Sequence, residues 1–368
     1  MLGLATRASA QQPFQLDPSF RTDISHINVR GVLPLEDGRV ILSGQLQFPG
    51  DPNIRSGARL FSDGSRDLTF PPVANMGGRM QRWGDKYYCG NGDIVRRHFI
   101  SGGIDPSFIM LNNDPLFSSL QGADYHVYPD GSLVITGVHN LNDPAHGFVG
   151  YYSLIWFDAT GHVDTTKHHR WSNGSSGVIA QLTDGKFMLN CICTQYEGRP
   201  TSRAMRIHPD GALDTTFFAG INGGAVHAFH GLPDGRVYVG GHFTIAGQPG
   251  GWRHLVRLLP DGSLDPTFNN NLQFGLGALT GIGAAVVSIT PIGNDRLLLC
   301  GGFQSVSGQP RYGICMIDTT GQLTDDFSDA GCGTYTYQGF TYGSPDAIAF
   351  DGQGFAYLFG AFHGYSDG

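Results

Sequence analysis

The sequence predicts an all-β chain folded as a seven-bladed β-propeller of four-stranded antiparallel blades, with an N-terminal strand closing the last blade. Three observations carry that expectation: one turn phrase recurs seven times, a second alternates with it, and lysine and glutamate are scarce. Among 368 residues there are 55 glycines, three lysines (Lys86, Lys167, Lys186) and two glutamates (Glu36, Glu197). Lysine and glutamate favour helices, so their near absence argues against a helical protein. With 40% hydrophobic and 11% aromatic residues the chain has material for a core, which excludes disorder.

The first phrase reads Asp-Gly-x-Leu-Asp-x-Thr-Phe, clearest at Asp210 to Phe217 and Asp261 to Phe268. Looser copies place its second aspartate at 17, 67, 105, 164 and 325, alongside 214 and 265. The second phrase is a turn followed by a short apolar run that often ends in glycine. It occurs after Asp37-Gly38, Asp130-Gly131, Asp184-Gly185, Asp234-Gly235, Asn294-Asp295 and Asp351-Gly352, with a degenerate copy from Asp85 to Gly90.

The best-written unit runs from Val226 to Phe268. Its first stretch alternates in hydrophobicity up to Leu232, as a half-buried strand does, and Pro233-Asp234-Gly235 supplies a tight turn. Arg236 to Phe243 is a second strand, His254 to Leu259 a third, and Ser263 to Phe268 a short fourth. One such meander leaves its faces and edges bare, so copies must stack, and radial stacking suits both the period and the strand count.

Blades are expected at 24–70, 71–108, 109–167, 168–217, 218–268 and 269–327, with two strands of a seventh at 345–350 and 354–362. Leu16 to Phe20 is a fourth-strand phrase with no blade before it, so it is expected to complete the seventh. That leaves the seventh blade's third strand missing, and the expectation is that it lies beyond Gly368. The domain reading is residues 1–12 as a signal-peptide remnant or disordered tail, on Ala8-Ser9-Ala10, and 13–368 as a single propeller domain.

These phrases resemble the bacterial delta-60 repeat, a propeller repeat of mostly secreted or surface proteins. The resemblance spans nearly the whole chain from Leu16 and is weakest in the second blade and at the end. It implies a propeller and an extracellular or cell-surface setting, and it implies no activity.

The net charge of −8, without a basic block, removes the electrostatic footprint for nucleic acid. No apolar run is long enough for a membrane-spanning helix, so no membrane insertion is expected. Among six cysteines, Cys191 and Cys193 are expected on one strand face with diverging partners, Cys300 and Cys315 are candidates for a cross-strand bridge, and free buried thiols are the main expectation. The repeated aspartates suggest calcium at first sight, but each is coupled to Ser or Thr and a Phe, which suits a turn cap. His126 and His230 occupy matching places and are candidates for a shared water or ion in the channel. No nucleophile elbow, zinc-protease motif or phosphate loop occurs, and neither cofactor nor metal is expected.

Connections on the side opposite the Asp-Gly turns vary in length: 138–150, 168–177, 195–200, 244–253, 269–283, 304–311 and 328–344. Variable loops on a rigid scaffold are where recognition resides. The candidate ligand-binding residues are therefore His139, His146, His168, His169, Trp171, Tyr196, Trp252, Arg253, Tyr335, Tyr337 and Tyr342. Aromatic platforms with amide and guanidinium partners suit a glycan, a peptide or another surface protein. The leading reading is a non-enzymatic extracellular binding or interaction module, such as an adhesion or surface-assembly scaffold. The alternatives are a carbohydrate-active propeller enzyme, or a building block of an extracellular filament or fibre assembled with further domains or copies.

Overall fold

The computed structural model describes residues 14–71, 76–90, 94–280, 283–328 and 330–366. The reading of residues 1–12 falls outside them. The described chain is all-β, and a 3₁₀ turn at Leu111–Asn113 is its one helical element.

Antiparallel meanders follow one another along the sequence. Sheet one contains Ser25–Pro34, Val40–Gln47 and Arg55–Leu60; sheet two contains Met80–Trp83, Lys86–Cys89 and Arg96–Phe99. Sheet three is made of Phe117–Val127, Leu133–Asp143 and Phe148–Phe157; sheet four of Ser175–Gln181, Phe187–Ile192 and Ala204–Ile207. Sheet five has Ile221–Gly231, Val237–Ile245 and Arg253–Leu258, and sheet six has Ala285–Ile292, Arg296–Gly302 and Ile314–Asp318. Among the described residues the seventh sheet holds Ser344–Phe350 and Ala356–Ala361.

The expected fourth strands are reduced to single bridges. Leu258 pairs with Leu264 and Ile207 with Leu213, and the same single bridge recurs in sheets one, two, three and six. The reason is local: Asp265 donates its N–H to Arg257 O, and Phe268 N–H then bonds back to Asp265 O, so the chain turns away after one pair. The sheets are therefore three-stranded, with the aspartate phrase attached as a turn.

Apolar residues gather between neighbouring sheets. Tyr238 and Leu255 of sheet five meet Val286, Ile289 and Leu297 of sheet six, and Leu298 and Ile314 of sheet six meet Ile348 and Leu358 of the seventh. Val40, Leu42 and Leu60 of sheet one meet Phe20 and Tyr357, and both strands of the seventh sheet lie against Ser25–Pro34. Each buried aliphatic or aromatic side chain contributes about 1.5–3 kcal/mol, so the packing that holds the molecule lies between sheets.

The glycine ending the apolar run has a steric cause. At Gly44, φ is +143°, and an added Cβ would lie 2.1 Å from Asn28 O, where the first strand of sheet one bulges between Val29 and Gly31. Gly64 does a second job. With φ at +85°, its missing Cβ leaves room for Arg21 O, which would otherwise lie 2.4 Å away.

Two expectations about cysteines and loops change, at Cys191–Cys193 and at 138–150, while Cys300 and Cys315 keep the main one. Cys191 and Cys193 are joined by a disulfide; the strand ends at Ile192, so the backbone turns and brings the two sulfurs together. Cys300 and Cys315 are free and buried, because Cys315 stands opposite Leu299 and Cys300 opposite Ile314, one residue out of register for a bridge. Residues 138–150 are no loop: the strands of sheet three run on to Asp143 and resume at Phe148.

Candidate functional site

The repeated aspartate is the most ordered polar feature of the fold. Asp265 Oδ1 accepts from the Thr267 N–H at 2.8 Å and its hydroxyl at 2.7 Å, while Oδ2 takes Arg257 Nε at 2.7 Å. Asp67, Asp105 and Asp214 repeat this with Arg59, Arg97 and Arg206, always eight residues earlier. A second cation arrives from the strand after the Asp-Gly turn: Lys86 on Asp105, Lys186 on Asp214 and Arg236 on Asp265. Each of these arginines also lies over the phrase's own phenylalanine, 4.8–5.0 Å from the ring centre. Burial alone would raise the pKa of Asp265, but Thr267, Arg257 and Arg236 outweigh it and hold it down to about 2. These carboxylates are committed to a cation–π and ion-pair lock.

Two sheets vary the lock. Asp164 keeps its Thr166 cap, but Trp156 stands where the arginine would be. In sheet six Thr324, not Asp325, takes the aspartate's place, bonding to Met316 O through its N–H, and its hydroxyl donates to Asp326 at 2.7 Å. The spacing that marks Asp325 in the sequence is thus one residue off.

On the connection side the structure divides the eleven candidates. His139, His169, Tyr196 and Arg253 are buried and serve the core. His139 lies in a strand of sheet three, with Nε2 3.0 Å from Thr136 O and Nδ1 3.2 Å from Ser119 Oγ. His169 sits among Phe148, Tyr152 and Trp156, and burial pushes it down to about 4. Tyr196 donates its hydroxyl to Gly211 O at 2.8 Å, and Arg253 reaches back to Pro249 O at 2.7 Å. Tyr335 and Tyr342 face each other across a hairpin and stack at 5.4 Å, both half-buried.

His146, His168, Trp171, Trp252 and Tyr337 are exposed. His146 is tied to Asp143 at 2.8 Å. Glu197 gathers three neighbours: His168 Nε2 at 3.6 Å, Arg170 at 3.5 Å and the Trp171 N–H at 2.8 Å. The sequence reading did not single out Glu197; its signal was rarity, as one of two glutamates. Trp252 lies flat on His242, 4.1 Å between centres with 15° between planes, and His242 in turn meets His254 at 3.2 Å.

A cleft of about 280 Å³ lies between sheets four and five. Asn173, Thr194, Thr201, Asn222 and the exposed Phe218 line it. Asn173 Oδ1 accepts from the N–H groups of Thr194 and Gln195, both at 2.9 Å, which fixes its amide at the rim. None of the eleven candidates lines this cleft, although Trp171 is two residues from Asn173.

The pairing of His126 and His230 on an axial ion is not what the structure shows. His126 packs against Tyr128 and Phe187, and burial pushes it down to about 4; His230 stacks on Tyr238. His126 thus lies on Phe187 of sheet four and His230 on Tyr238 of its own sheet, so the matching sequence places have different surroundings. In the first strand of the seventh sheet, burial pushes the Asp346 carboxyl up to about 6, with Arg30 offsetting part of that. Among the described residues no group of three or more His, Cys, Asp or Glu is arranged to hold a metal, and no helix is long and apolar enough to cross a membrane.

Residues 194–217 and 232–268 match the family described as a domain of unknown function (DUF5122) beta-propeller. This partial match, over sheets four and five, supports a β-propeller family. No curated protein matches the chain. Among solved structures, the chain is similar to a calcium-binding regucalcin from Agrobacterium tumefaciens, at 13% identity over 82% of this chain and 93% of that one, with a TM-score of 0.43. It is also similar to the extracellular domain of a putative hybrid two component system from B. thetaiotaomicron, at 12% identity over 90% and 39%, with a TM-score of 0.48. A third likeness is to PorZ, a surface component of the type-IX secretion system of Porphyromonas gingivalis, at 12% identity over 88% and 48%, with a TM-score of 0.41. Such likenesses say nothing of function.

Proposed function

We propose that the chain is a seven-bladed propeller of delta-60 type repeats that serves as a non-enzymatic extracellular binding module. Its ligand, a glycan or a peptide, is taken on the connection side. The observation that carries this reading is the exposed aromatic surface there: Trp171 is held beside Glu197, two residues from the cleft-lining Asn173, and Trp252 is fixed flat on His242. Rigid aromatic rings with amide and hydroxyl neighbours bind sugar faces and peptide side chains at low entropic cost. The packing of sheet seven against sheet one supports a ring, and the Cys191–Cys193 disulfide suits an oxidising compartment.

A glycan and peptide array, with analysis of any product formed, tests this reading. Binding that Trp171→Ala with Trp252→Ala weakens at least tenfold, without change in the unfolding temperature, is the expected result. Turnover of the bound glycan would replace the reading with a carbohydrate-active enzyme. Full affinity in the double variant would place the ligand elsewhere.

A further inference from the structure

The first strand of each sheet lies against the first strand of the next. Sheets one and two, three and four, four and five, five and six, six and seven, and seven and one all touch in this way. Between sheets two and three, the Gln81 amide donates to Val127 O at 3.0 Å and accepts the Val127 N–H at 3.1 Å. In the proposed ring the seven first strands thus surround one axis.

These strands bulge at matching places. Pairing with the second strand skips Arg30 in sheet one, His227 in sheet five, Val287 in sheet six and Asp346 in sheet seven. In sheets three and four it skips two residues, the second being Asp124 and Val178. Arg79 holds the same place in sheet two. The carbonyl before it, Gly78 O, accepts from Ser43 of sheet one, as Gly177 O and Val226 O accept from Thr136 and Asn190.

A bulge re-aims the side chain it frees. Val226, Ala228 and Val286 beside the bulges are buried, yet Arg30, Arg79 and His227 are exposed and Val178, Val287 and Asp346 half-buried. Solvent reaches this row of side chains while protein encloses it: burial pushes the His227 pKa down and the Asp346 carboxyl up. The row therefore lines an axial channel.

Two charges in the row are spent on each other. Arg79 Nε pairs with Asp124 at 3.2 Å and the guanidinium lies over Tyr125, while Asp124 also accepts the N–H groups of Tyr125 at 2.9 Å and Ile179 at 3.2 Å. Arg30 and Asp346 are different. Arg30 is near enough to act on the Asp346 carboxyl, but among the described residues neither side chain forms an ion pair or hydrogen bond. A cation and an anion that share a channel without meeting leave a gap that one molecule carrying both charges can fill.

We propose that the channel holds a small zwitterion, a free α-amino acid, with its carboxylate on the Arg30 guanidinium and its ammonium group on the Asp346 carboxylate. Charge-assisted bonds form at both ends, and Val287, next to Asp346 in the row, offers an apolar wall to the side chain. A simple anion leaves Asp346 unanswered and a simple cation leaves Arg30 so. The inference rests on the ring of the proposed fold, and not on the ligand of the connection side.

Calorimetry on the full chain at pH 7, with each of the twenty common L-α-amino acids and with acetate and methylammonium as half-ligands, tests the site. Expected is one-to-one binding of at least one amino acid, at least tenfold tighter than either half-ligand and at least tenfold weaker in Arg30→Gln and in Asp346→Asn. An unfolding temperature in Asp346→Asn no lower than that of the unaltered chain separates loss of the site from loss of the fold. A short bismaleimide that joins Arg30→Cys to Asp346→Cys tests the ring apart from the ligand. Failure to join them would remove the ring and the site with it. Joining without binding of any amino acid, or acetate binding as tightly as the best amino acid, would overturn the site alone.

Discussion

The ring of Phe20 meets the ring of Tyr357 edge-on at 5.4 Å, across more than three hundred residues of sequence. The same contact is made within sheets two and five by Phe108 on Tyr88 and Phe268 on Tyr238. Phe20 therefore stands to the seventh sheet as those phenylalanines stand to their own. Arg21 then continues onto sheet one through Asp63 O, as Asn269 continues onto sheet six.

Phe20→Ala is expected to cost about 1–2 kcal/mol, below the range for a fully buried phenylalanine because Phe20 is half-buried. Chemical unfolding measures this. A cost no larger than that of an exposed-site control such as Leu68→Ala would contradict the contact's role.

The aspartate lock predicts strong coupling. Asp265→Ala leaves the Arg257 charge buried without its carboxylate, which costs about 3–5 kcal/mol. Adding Arg257→Met should recover part of that, since sheet three does without the arginine by using Trp156. Additive costs in the double-mutant cycle would mean that the two residues do not act as a unit.

The pH dependence follows from Asp346, whose carboxyl is raised to about 6 in the fold from an ordinary 3.8. Between those values the folded state holds more protons than the unfolded state. Its contribution is thus fully present below about pH 4 and lost as pH rises through about 6. Asp346→Asn should remove that slope from unfolding curves recorded between pH 4 and 7, and an unchanged slope would reject the assignment.

Alkylation under denaturing, non-reducing conditions should label four of the six cysteines, Cys89, Cys300, Cys315 and Cys332, and all six after reduction. Mass spectrometry reads the count directly, and six labels before reduction would remove the Cys191–Cys193 bond.

Much of the fold was legible because its turns are written in side chains. Asp-Gly marks the hairpins, and Asp-x-Thr-Phe marks the phrase that caps itself and packs its ring. The arginine eight residues earlier was hidden because a turn separates it from its aspartate and sheet three replaces it. The fourth strand was over-read, since the same aspartate that marks it also ends the ladder after one bridge. The site was harder still. Whether His139 or Tyr196 faces solvent depends on how far a strand extends and what the next sheet covers, and neither quantity is local. Trp171 and Trp252 are exposed as expected, and the cleft lined by Phe218 and Asn222 went unseen because its walls belong to two sheets.

The proposed closure of a ring by the N-terminal phrase is tested most directly by amide exchange on the intact chain and on a variant lacking residues 1–22. The account predicts that the deletion speeds exchange throughout Ala356–Ala361 and along the edge of sheet one at Arg59 and Leu60, and lowers the unfolding temperature. Identical exchange in the seventh sheet and an unchanged unfolding temperature would contradict it.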